Sequence, residues 1–158
     1  MCETMCEHQE HVIMWPSVQE QQNIAETFQS RYSMPGVVGV LDSTHICIPG
    51  PSDHRDSYIN RKGHPSIQLQ VTCDSSLLFT DVYTGWPGSV HDARVFRNSP
   101  LQAFLEGGIS PSYHVLGDSA YPLTSYVLVP FVTFHPYRGT TIKYTLQLEL
   151  TLNAQLVC

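Results

Sequence analysis

Two aspartates in this chain each follow a short apolar run, and that coincidence says most about its chemistry. Asp42 comes directly after Val37-Val38-Gly39-Val40-Leu41, and Asp118 after His114-Val115-Leu116-Gly117. Short β-branched runs of this kind predict strands buried on both faces, each stopping at its aspartate. In open α/β sheets, ligand sites gather at such strand ends. A carboxylate there is costly to bury unless it is paired or bound to a cation. Two on neighbouring strands repel each other, and a divalent ion removes the repulsion. Oxygen donors favour Mg²⁺ or Mn²⁺ over zinc, and two such ions can activate a water and stabilise the leaving oxygen of a phosphodiester. The plainer reading is that aspartate ends strands because it favours turns, and spacing alone leans that way. Asp92, in Ser89-Val90-His91-Asp92, falls in the first turn of a predicted helix, where the dipole alone favours a carboxylate.

The elements that must position these residues follow from the pattern. Residues 17–32 read as a helix, with Ser17 as cap, Glu20 completing a capping box, and Ile24, Phe28 and Tyr32 at four-residue steps; Pro35-Gly36 ends it. After the strand at 37–41, residues 48–63 are polar and turn-rich. Residues 66–73 alternate Ile67, Leu69, Val71 and Cys73 against Gln68, Gln70 and Thr72, a half-buried strand with its apolar side inward. Asp74-Ser75-Ser76 supplies a turn into a returning strand at 77–83. Ser89 caps a predicted helix over 90–105, interrupted near Pro100 and closed by Gly107-Gly108, and 113–116 is a further strand. Helix, three strands, helix and strand describe an α/β domain with a mixed sheet.

Composition narrows the function classes. At 158 residues the chain suits one domain. No apolar run approaches the ~18 residues of a membrane span, and the polar start lacks a signal peptide's pattern, so an intracellular protein is the expectation. Five cysteines at scattered positions suggest reduced thiols. Cys2, Cys6, His8 and His11 could bind zinc, but their spacing matches no structural pair and the segment reads as a frayed terminus. Eight Lys and Arg against a net charge of −6 argue against a strongly electrostatic DNA binder. The local exception is the stretch 54–64, where Arg55, Arg61, Lys62 and two His surround Tyr58. It could grip phosphates and stack on a base, or be a solvated loop.

Four blocks carry a family resemblance. Gly39-Val40-Leu41-Asp42-Ser43-Thr44-His45-Ile46 resembles the first-aspartate motif of PIF/Harbinger-type transposases and their nuclease relatives. Tyr58-Ile59-Asn60-Arg61-Lys62-Gly63, with His64, Ser66 and Gln70 before Cys73-Asp74, is similar to the next block. Trp86-Pro87-Gly88-Ser89-Val90-His91-Asp92-Ala93-Arg94-Val95-Phe96 and Leu116-Gly117-Asp118-Ser119-Ala120-Tyr121-Pro122 match the third and fourth. The resemblance runs over about residues 15–131. It implies an RNase H-like mixed sheet flanked by helices, with Asp42 and Asp118 as catalytic carboxylates and Asp42, Asp92 and Asp118 as ligands of Mg²⁺ or Mn²⁺. It further implies DNA as substrate, a separate basic DNA-binding partner, and the nucleus as location, with the cytoplasm otherwise.

One departure is as informative. The family places a third carboxylate on a helix beyond the second aspartate. Here 142–153 alternate Ile142, Tyr144, Leu146, Leu148, Leu150 and Leu152 with polar residues, a strand's period. Glu149, 31 residues after Asp118 (149 − 118), stands in the wrong context. The expected organisation is a frayed 1–14, a nuclease core at 15–136 with its site blocks in 37–122, and a divergent strand-like tail at 137–158, the domain being incomplete at its C-terminus. Such a chain is a metal-dependent endonuclease domain of low activity alone, or a catalytically dead remnant acting as a metal-binding or protein-interaction module.

Overall fold

The structure, a computed structural model, describes residues 13–130. Cys2, Cys6, His8, His11, Glu149 and the tail 137–158 lie outside the described residues. Among the described residues, five strands form one sheet in the order β3-β2-β1-β4-β5. They are β1 (Val37–Cys47), β2 (Ser66–Cys73), β3 (Phe79–Pro87), β4 (His114–Leu116) and β5 (Val127–Leu128). β1, β2 and β3 are antiparallel neighbours, while β4 lies parallel to β1 and β5 parallel to β4. This mixed sheet with flanking helices is an α/β, RNase H-like architecture.

The helix α1 (Val18–Tyr32) starts as its residues dictate: Glu20 N–H donates to Ser17 Oγ and Ser17 N–H to Glu20 Oε2 at 2.8 Å, closing the capping box. It ends before Pro35, at Ser33, which takes the left-handed conformation at φ 58° and donates to the Gln29 and Phe28 carbonyls. Its buried stripe of Ile24 and Phe28 packs with Val37, Val40 and Cys73 on one face of the sheet. A four-residue helix, α2 (Arg55–Tyr58), lies within the turn-rich stretch after β1.

The helix expected over 90–105 is two helices, α3 (Asp92–Arg97) and α4 (Pro100–Gly108). His91, not Ser89, is the N-cap of α3. Ser99 caps α4 by accepting from Gln102 N–H, and Pro100 occupies the first turn, where its missing N–H costs nothing. Phe96, Leu101 and Leu105 from this pair pack against Val38, Leu41 and Val115 on the other face of the sheet. α3 is fastened to β3: Tyr83 Oη donates to the Asn98 carbonyl at 3.1 Å, and the Arg94 guanidinium lies 5.9 Å from the centre of the Trp86 ring.

β2 has the expected bounds and is covered on both faces. Gln68, Gln70 and Thr72 are 2% exposed or less; on the apolar side Val71 and Cys73 are buried as expected, while Ile67 and Leu69 are half-buried. Alternation sets the period of a strand, and what packs on each face decides which side is dry. The polar side of β2 meets α3, so the glutamines are covered. The returning strand also runs longer than expected, through Trp86 and Pro87, after a turn in which Asp74 N–H donates to the Leu78 carbonyl.

Candidate active site

The strand β1 does not stop at Asp42. Burial along it falls from full over the first five residues to partial at Asp42, Ser43 and Thr44, then to exposure at His45, Ile46 and Cys47. The sheet explains the gradient. β4 pairs with β1 only as far as Val40, while β2 accompanies it to Cys47. Asp42-Ser43-Thr44 therefore remains strand because Val71, Gln70 and Leu69 hold its backbone, overriding the turn preference of Asp and Ser. Asp42 stands where the strand leaves the core.

Asp118 follows β4 by two residues. Val40 pairs with Leu116 as the last pair of this ladder, and Asp42 and Asp118 each come two residues later in their own segment. The turn after Asp118 is built by Asp118 itself. Its Oδ1 accepts from Ala120 N–H at 2.9 Å, and its carbonyl accepts from Tyr121 N–H at 3.2 Å. The turn folds Tyr121 back over Gly117, where an added Cβ would stand 3.0 Å from the tyrosine ring. Tyr121 is 4% exposed, its ring edge-on to Phe96 at 5.8 Å and its hydroxyl 2.7 Å from Ser43 Oγ. This bond ties the Asp118 turn to the residue next to Asp42. Burial pushes the Tyr121 phenol far above its ordinary range. The Ser43 contact opposes that shift, and the charges of Asp92, Asp42 and Asp118 add to it. Three carboxylates thus act on one neutral phenol.

Asp92 opens α3 and accepts from Gln68 Nε2 at 2.7 Å. Burial raises its carboxyl above the usual range and Asp118 raises it further, against the Gln68 bond, His45 and Arg61. It does not share a face with Asp42. Strand alternation sends Val40 and Asp42 toward the α1 side and Leu41, Ser43 and His45 toward the α3 side. Gln68, paired with His45, carries Asp92 on that second side. Among the described residues, no three His, Cys, Asp or Glu gather into a group able to hold a metal ion.

The donor chemistry nevertheless suits a hard cation. Asp42 and Asp118 each follow the last β1–β4 pair by two residues and carry carboxylate oxygens, and Asp92 stands close enough for Asp118 to raise its carboxyl. The Cys73 thiol is no competing ligand, since burial, with Asp74 and Asp42, pushes it up to about 12. The contributions of Ser43, Tyr121 and Gln68 are absent from any reading of the aspartates alone. The signal for Gln68 was its place in a pair of amides at alternate positions of a strand, and for Tyr121 its place three residues after Asp118.

The fold is that of a DDE-type nuclease domain. The model of the DDE superfamily endonuclease family matches residues 41–155, and the chain belongs to that family. It is 37% identical over 123 residues to the mouse (Mus musculus) protein named "Putative nuclease HARBI1", covering 78% of this chain and 34% of that protein. The human (Homo sapiens) protein of the same name is 33% identical over 129 residues, covering 81% and 37%. "Protein ALP1-like" of Arabidopsis thaliana is 28% identical over 144 residues, covering 82% and 35%. The chain spans about a third of the length of these curated relatives. No solved structure matches it. No helix among the described residues is long and apolar enough to cross a membrane.

Proposed function

We propose that this chain supplies the cutting core of a transposase-derived DNA endonuclease dependent on Mg²⁺ or Mn²⁺. Asp42 and Asp118 would hold the cation, with Asp92 assisting from the α3 side. The observation that supports this reading is the parallel pairing of β1 and β4, whose last pair, Val40 with Leu116, precedes each aspartate by two residues. A bound cation of this kind makes water more acidic and screens charge developing on phosphate. The protein's own part is to concentrate carboxylates at the edge of a dry core and to fix the Asp118 turn through Tyr121 and Ser43. Water or a 3′-hydroxyl would attack phosphorus in line, losing its proton, as the bridging oxygen on the opposite side leaves and takes one up. A net charge of −6 disfavours unaided DNA binding, so a separate basic partner belongs to the proposal, as does a nuclear rather than cytoplasmic location. The dispersed carboxylates favour a second reading, a catalytically dead remnant that binds metal or another protein.

Titration with Mn²⁺ while following thermal unfolding tests the metal site. Stabilisation is expected to grow with ion concentration in the wild type, because binding to the native state alone shifts unfolding. Asp42→Asn is expected to lose most of it, and equal stabilisation in both removes Asp42 from the site. Nicking of supercoiled DNA tests the chemistry, with slow cleavage expected from the chain alone. Loss in both Asp42→Ala and Glu149→Gln makes Glu149 the third carboxylate, and loss in Asp42→Ala alone points to Asp92. Cleavage undiminished in Asp42→Ala overturns the reading.

A further inference from the structure

The sheet ends differently on its two sides. Among the described residues β5 closes one side with two residues, too short to template another strand, whereas β3 closes the other with nine. The inner edge of β3 is taken by β2. Its outer edge meets no further strand among the described residues, and no backbone bond from a turn or loop among them reaches residues 79–86. A row of N–H and C=O groups therefore faces outward. The pairing with β2 shifts register near both ends of the ladder and leaves residues 81–84 as a regular stretch in the middle.

Proteins blunt long edges with lysines, prolines or charges turned inward. β3 has no lysine, and its one proline, Pro87, is its last residue. Between Asp74 and His91 the single charged residue is Asp81. Paired with Thr72, it is half-buried, and burial raises its carboxyl and so favours the neutral form. Apolar side chains stand in the open instead: Leu78 is 66% exposed, Phe79 41% and Val82 38%. Leu78 and Phe79 also line a cavity of about 350 Å³ with Met14, Trp15 and Ile24, so this surface continues to the start of α1.

We propose that β3 pairs antiparallel with β3 of a second copy of this chain, about a two-fold axis at Val82, joining the two sheets into one. An antiparallel edge is self-complementary, since the donors and acceptors it presents are those it needs. A chain of net charge −6 repels its own copy over much of its surface, and the nearly uncharged β3 is a place where that repulsion is low. A basic partner would find a single half-buried carboxylate here. With the axis at Val82, each Asp81 stands opposite the partner's Tyr83, and the two aspartates never face each other. Each copy keeps its Asp42 and Asp118 on the far side of β2 from the joint. The inference is independent of the nuclease reading.

Sedimentation equilibrium of the full chain in EDTA tests it, with amide hydrogen exchange followed at several protein concentrations. A monomer–dimer equilibrium is expected. Val82→Lys sets two ammonium groups across the axis and should weaken it by roughly tenfold. Leu123→Lys, at an exposed apolar residue in the loop before β5, should leave it unchanged. Amides of residues 79–86 that point away from β2 should gain protection as concentration rises. A chain monomeric at every concentration overturns the pairing, as does a dimer equally strong in wild type and Val82→Lys. Protection of those amides that is complete in the monomer places another segment of this chain on the edge and overturns the second copy as occupant. If Val82→Lys does not fold, the concentration dependence in the wild type decides alone.

Discussion

The two halves of β1 are one continuous strand with opposite duties. From Val37 to Leu41 every residue is buried, parallel β4 covers one edge, and apolar side chains enter the core on both faces. From Asp42 onward, among the described residues, β2 alone pairs with the backbone, and the side chains become progressively wet. The difference shows how a small sheet presents a carboxylate. The first half anchors the strand, and the second carries charge on the same rigid backbone without burying it fully.

Substitutions in each half sharpen that contrast. Leu41→Ala, in the anchoring half, is expected to cost about 2–5 kcal/mol of stability by urea unfolding, the usual penalty for a truncated buried leucine. A loss under ~1 kcal/mol would dissolve the distinction between the halves. Next door, Tyr121→Phe removes the hydroxyl that ties the Asp118 turn to Ser43, for an expected loss of about 0.5–1.5 kcal/mol. If the tie positions Asp118, this variant should also need more Mn²⁺ for a given thermal shift, whereas a merely structural hydroxyl would leave the metal midpoint alone. Ser17→Ala, far from both halves, should cost about 0.5–2 kcal/mol through the lost cap and leave that midpoint unchanged.

The smallest effect is one of pH. Burial raises the Asp92 carboxyl in the folded protein above its unfolded value. The native state then binds the proton more tightly, so Asp92 disfavours folding increasingly as pH rises from the ordinary carboxylate range through its raised value. Asp92→Asn can still accept from Gln68 and should flatten that part of the stability–pH curve, raising the melting temperature slightly at neutral pH without metal. Lower neutral-pH stability in this variant would mean that the Gln68 bond outweighs the buried charge.

How far the residues alone revealed this arrangement varied with how local the cause was. Ser17 and Glu20 are three residues apart, and their capping box was legible because nothing beyond one turn decides it. The apolar runs before Asp42 and Asp118 marked two strands of the sheet for a similar reason. The extension of β1 past Asp42 was not legible, since Asp-Ser-Thr is turn chemistry until β2 is laid beside it. The burial of the β2 glutamines was hidden because a period of two names two faces and does not say that both are covered. The break at Ser99-Pro100 was visible in outline, although the cap of α3 fell on His91. Tyr121 and Ser43 lie 78 residues apart, and no local pattern could join them.

Among the described residues β5 is an edge strand, joined to β4 through two residue pairs, Val115 with Val127 and Leu116 with Leu128. It also accepts, through the Leu128 carbonyl, the N–H of Gly117, the residue immediately before Asp118. A two-residue edge opens far more readily than the long β1–β2 ladder. The two aspartates therefore differ in how long they keep their place: Asp42 stays until the ladder breaks, while Asp118 loses a neighbouring restraint whenever β5 frays. The lifetime of the pair is set at the rim of the sheet.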